Sequence, residues 1–162
     1  MFETANPDLW FFVTLLPVCL IVAFNDLKYM KIPNVTVLAM VAVYIVVGLL
    51  VLQLDAFLWR FVGLVVALVA GFLLSTAKLL GAGDAKFMAA GALFIAPADV
   101  GFVLIMLALM GPVALLVHRL SGRIYLKKAF PDWESWQRTR EFPMGPPLTA
   151  TLLIYLGMAV MG

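Results

Sequence analysis

Six apolar runs, each interrupted by charged or turn-forming residues, make up most of this chain. They cover Leu9–Asn25, Val35–Leu54, Ala56–Leu80, Ala85–Ala96, Val100–Leu120 and Pro146–Met161. A helix needs about 20 apolar residues to cross roughly 30 Å of hydrocarbon, and these runs reach or approach that length. They lack the alternation of a lipid-facing barrel strand, so the spanning form is helical. The expectation is an all-α integral membrane protein, one domain over residues 1–162, with six transmembrane helices. Composition agrees. The chain is 65% hydrophobic and 12% charged, with a mean hydropathy of +1.09, whereas a soluble domain is about half apolar and a quarter charged. A net charge of +2 gives no reason to expect a nucleic-acid partner.

Charge placement sets the orientation. Lys28 and Lys31 separate the first two runs, and Lys78 and Lys86 flank the third-to-fourth turn. Arg119, Arg123, Lys127, Lys128, Arg138 and Arg140 surround the fifth-to-sixth loop. Alternating spans put all of these on one side, ten of the eleven basic residues, with Arg60 the exception. Glu3, Asp8, Asp55 and Asp99 fall opposite. The positive-inside rule makes the basic side cytoplasmic and both termini outside. Residues 1–10 contain no Lys or Arg, so the first run reads as a retained span, not a cleaved signal.

Within this frame Asp26 and Asp84 stand out. A carboxylate beside hydrocarbon is costly and marks a functional position by default. Leu9 to Asp26 is about 25 Å of helix, and Asp84 to Pro97 about 20 Å. Both acids then lie slightly below the cytoplasmic surface, in a recess open to water. Asp26 also ends its run, where the helix dipole disfavours a negative charge. Asp84 opens a run, where a simple N-cap is the ordinary alternative. Gly81 and Gly83 before it allow a sharp turn and close approach of an extended peptide. Gly63, Ala67, Gly71 and Ser75 recur every four residues upstream, a stripe suited to tight helix packing that would fix Asp84 in place.

Other polar residues read more simply. Cys19 lies mid-run and is a small buried hydrophobe. His118 has no partner at ligand spacing, so no metal and no cofactor are expected. Lys86 either snorkels to headgroups or acts near Asp84. Pro33 and Asn34 start the second span with Asn34 as cap, and Pro143 and Gly145 prepare the sixth. In the loop Ser121–Phe142, aromatics interleave with cations, which suits a membrane-surface anchor. A docking surface for substrate is the alternative, with Asp132 capping a short helix.

At these residues the chain resembles the type IV prepilin peptidases, a GxGD family of membrane aspartyl proteases. One motif is Asp26 followed by a basic stretch and Ile32-Pro33-Asn34. The second is Gly81-Ala82-Gly83-Asp84-Ala85-Lys86. A weaker third is Pro143-Met144-Gly145-Pro146. The resemblance implies an aspartic endopeptidase of the bacterial inner (plasma) membrane. It would remove basic leaders from prepilin or pseudopilin precursors at the cytoplasmic face, with Asp26 and Asp84 as the catalytic pair. Gly81, Gly83, Lys86, Pro33, Asn34, Pro143 and Gly145 would support the site. Larger members carry a CxxC-bearing domain linked to N-methylation. This chain has none, so it resembles the short form of tight-adherence pili, with archaeal preflagellin peptidases as a related possibility. The alternatives are a small transporter or proton-coupled protein using the same acids, and a non-enzymatic assembly subunit of a secretion machine.

Overall fold

The computed structural model describes residues 6–138 and 141–161, so Glu3 and Arg140 lie outside the described residues. Among the described residues eight α-helices follow in order: α1 Pro7–Tyr29, α2 Asn34–Val51, α3 Leu54–Thr76, α4 Ala82–Ala92, α5 Val100–Ile124, α6 Leu126–Ala129, α7 Glu134–Gln137 and α8 Gly145–Met161. A 3₁₀ turn at Pro97–Asp99 leads into α5. No strand occurs among the described residues.

Helix boundaries follow local chemistry. At the start of α1, the Asn6 side chain accepts the Asp8 N–H at 3.0 Å and Pro7 takes the first turn. The helix closes at Met30, whose φ of 51° is left-handed and whose N–H reaches the Asp26 carbonyl at 2.9 Å. Asp26 therefore lies inside the last turn of α1. The cap of α2 is Pro33, so Asn34 is its first helical residue and not the expected cap. Its side chain is left free for another partner.

Four helical segments have the length and apolarity to cross a membrane: α1, α2, α3 and Pro97–Ile124. Of the six expected spans, the fourth and sixth are shorter. The 11 residues of α4 rise only about 16 Å, roughly half the hydrocarbon thickness. Large apolar side chains on α2, α3 and α5 point outward, including Leu50, Val66 and Leu109. Such faces suit lipid as solvent.

The inside is tightly packed. α1 runs between α2 and α8, and α4 lies against α3. α1 and α8 are antiparallel: Gly145 meets Asp26 at one end, and Gly157 faces Phe12 at the other. An aromatic cluster fills the end away from Asp26. Tyr44 stacks on Phe57 at 5.1 Å, meets Phe94 edge-on at 5.5 Å, and donates to the Phe57 carbonyl at 2.8 Å. Paired aromatics add about 0.5–1.5 kcal/mol each beyond area burial. Cys19 is fully buried in the same core, as expected.

Candidate active site

The three basic connections of the chain meet at one end of the bundle and enclose a cavity of about 1190 Å³. Residues 25–34, residues 75–84 and part of 134–144 supply its wall. Both Asp26 and Asp84 line it.

Asp26 is only 5% exposed. Its Oδ2 accepts the backbone N–H of Gly145 at 2.6 Å, across 119 positions of sequence. Gly145 opens α8, so the carboxylate meets an unpaired N–H at the positive end of a helix. A Cβ on Gly145 would stand 2.7 Å from the Asp26 Cβ and 2.9 Å from Oδ2. Pro143 and Pro147 are fully buried on either side and stiffen this approach. The Pro143-to-Gly145 element, expected as preparation for a span, thus touches the acid directly.

Asp84 is partly buried in the first turn of α4. Here the structure corrects the N-cap alternative. Gly81 is the cap, and Asp84 is the third helical residue, with its carboxyl folded back over Gly81. A Cβ on Gly81 would fall 2.6 Å from the Asp84 Oδ2. The small-residue stripe of α3 does what its spacing implies. Gly71 faces Ala85, where an added Cβ would come within 2.8 Å of that side chain, and Gly63 faces Ala92. The position of α4, and with it Asp84, is set by this close approach.

Two contacts join the motifs. Gly83 lies against Ile32, at 3.3 Å for a built Cβ. The Lys86 ammonium donates to the Asn34 Oδ1 at 3.0 Å. Lys86 therefore ties α4 to the start of α2, a role that neither snorkelling nor contact with Asp84 described.

The 121–142 segment also departs from expectation. Asp132 caps no helix: α7 begins at Glu134 behind an extended Trp133, without a side-chain cap. Aromatic contacts fix the segment. Trp133 meets Phe24 of α1 edge-on at 5.9 Å. Trp136 stacks on His118 at 4.1 Å, over Gly122, where a Cβ would meet the indole at 2.8 Å. This brings Glu134 and Glu141 to the cavity wall. Arg138 bridges them at 2.9 and 3.1 Å. Such exposed pairs contribute roughly 0–1 kcal/mol each, so the aromatic contacts hold the segment. Sequence reasoning missed both glutamates, because nothing local distinguishes them from other charges in a polar loop. His118 lies in this support and outside the cavity lining. Among the described residues no three His, Cys, Asp or Glu side chains gather as metal ligands would.

Two carboxyls lining one cavity offer the two partners of proton-transfer chemistry, a protonated acid and an ionised base. The sequence profile of the type IV leader peptidase family matches residues 13–117 of the chain, a range that includes both acids. No curated protein and no solved structure matches.

Proposed function

The chain belongs to the type IV leader peptidase family, and on that premise we propose that it is an aspartic endopeptidase using Asp26 and Asp84 as its catalytic pair. The observation that carries this reading is the shared cavity: two acids from different helices open into one water-accessible space at the basic end of the bundle. The ionised carboxyl takes a proton from water, and the protonated one donates to the scissile carbonyl oxygen. Water attacks, and no acyl-enzyme forms. The acids exchange roles between steps, so the chemistry belongs to the pair. The Gly145 N–H orients the Asp26 carboxylate, while Gly81 and Gly71 set that of Asp84.

The substrates are prepilin or pseudopilin precursors with a basic leader followed by an apolar helix. Cleavage falls at the cytoplasmic face of the inner membrane, where leader and helix join. Six membrane-inserted helices, with α4 and α8 as short members and both termini outside, fit the charge distribution. Membership of a peptidase family weighs against a transporter or an assembly subunit.

Asp26→Asn and Asp84→Asn, each expressed with a prepilin that the unaltered enzyme processes, are expected to leave the leader-bearing form on a gel. The expected loss is at least about 10³-fold in rate, since proton transfer and electrostatic stabilisation fail together. Full processing by either variant overturns the assignment.

A further inference from the structure

A second cavity, about 520 Å³, lies on the membrane-facing side between α3 and α5. These two helices share no substantial packing, so the short α4 and the start of α8 form an open floor between them. Met88, Gly91, Leu148 and Thr151 lie in that floor, and Val66 and Leu104 stand in the walls. Val66 and Leu104 are both more than half exposed. Arg60, at the far end, is the only charged residue lining the groove among the described residues.

The groove continues the candidate active site. Residues at i, i+3, i+4 and i+7 share a helix face, so Asp84, Phe87, Met88 and Gly91 form one stripe down α4. The same spacing joins Gly145, Leu148 and Leu152 on α8. Along α3, Leu74 lines the groove and Ser75 the catalytic cavity. The two cavities share no lining residue but adjoin at Leu74 and Ser75, and from there the groove runs toward the opposite end of the bundle.

Resting on the peptidase reading above, we propose that this groove seats the apolar helix of the precursor on the mature side of the scissile bond. Gly91 in the floor carries no side chain to hold a helix backbone away. Thr151 offers a specific partner. It is 3% exposed and lines the groove, and its buried Oγ1 has no hydrogen-bond partner among the described residues. An unbonded hydroxyl in a dry interior costs about 1–3 kcal/mol, and a turn of the side chain toward the groove would let a backbone carbonyl of the docked helix accept its proton. Charge sets the polarity. Asp26, Asp84, Glu134 and Glu141 line the catalytic cavity beside Lys31 and Lys78, with Arg138 paired to both glutamates, so no net positive charge opposes a basic leader there. Arg60 disfavours a cation at the far end.

The test compares two substrates in proteoliposomes: a full prepilin with a basic leader, and a peptide spanning its cleavage junction without the apolar helix. If the unaltered enzyme cuts neither, the peptidase reading itself fails. Otherwise Gly91→Leu and Val66→Trp, which fill the groove, are expected to lower kcat/KM for the prepilin about tenfold, mainly through KM. Peptide cleavage is expected to stay unchanged, as is prepilin cleavage by Val46→Trp on the outer face of α2. Unimpaired prepilin cleavage by both groove variants overturns the proposal. A photo-crosslinking residue at Leu104 gives an answer independent of substitution effects on folding. An adduct to the apolar segment of the prepilin, absent from Leu50, supports the groove; adducts to lipid alone sink it.

Discussion

Gly145 shows how much a single hydrogen atom in place of a methyl group can decide. Its N–H binds the Asp26 carboxylate at 2.6 Å, and an added Cβ would overlap the same side chain. Gly145→Ala is expected to cut precursor processing by about 10–100-fold and to cost about 1–3 kcal/mol through overpacking. Processing on a gel and thermal unfolding in detergent measure the two effects. Gly101 is the contrast, since a Cβ there meets nothing within 4 Å. Gly101→Ala, in the first turn of α5, is expected to leave processing intact and raise stability by up to about 1 kcal/mol, because alanine has less freedom to lose from the unfolded chain. Thr151→Val separates stability from binding. It removes a buried hydroxyl with no partner and should stabilise the empty enzyme by about 1 kcal/mol. Under the groove proposal it also weakens prepilin cleavage while sparing the short peptide. Higher stability with undiminished prepilin cleavage would leave Thr151 without a role in binding.

Among the elements, α3 and α4 were the more legible pair. The four-residue stripe of small side chains on α3 predicted a close neighbour, and Gly71 against Ala85 supplies it. Gly71→Val should force α4 outward, displacing Asp84 and abolishing processing even where the protein still folds. The expected loss of stability is about 1–3 kcal/mol. A variant that kept full activity would mean that Asp84 does not depend on this contact. The helix caps were less legible. Asp84 and Asn34 both have the chemistry of N-caps, yet backbone turns place the caps at Gly81 and Pro33. Cap preference fixes a helix start only within a few residues, and the geometry of the preceding turn chooses among the candidates. The displacement has a consequence for the site: freed from capping, Asn34 accepts from Lys86 and ties two motifs together.

For the molecule as a whole, hydrophobic pattern and charge were enough to assign helices and to bring the basic connections to one end. The pairing of Asp26 with Gly145 was not readable, because no local preference encodes a contact across 119 positions. Nor was the approach of Glu134 to the cavity, which depends on Trp136 stacking over His118. The proposed membrane orientation rests on a sum over the whole chain. Alternating spans would put ten of the eleven basic residues on one side, and cytoplasmic loops retain Lys and Arg. That asymmetry predicts where engineered thiols will react. Cys19 is buried in the apolar core and can be replaced by alanine to give a silent background. In inside-out vesicles, a membrane-impermeant maleimide is expected to label Lys127→Cys and to miss Asp55→Cys. Right-side-out vesicles should give the reverse. Labelling of both positions from one side would break the up-and-down arrangement. An inverted pattern would put the cavity on the wrong face for a leader held in the cytoplasm, and the proposed substrate geometry would fall with it.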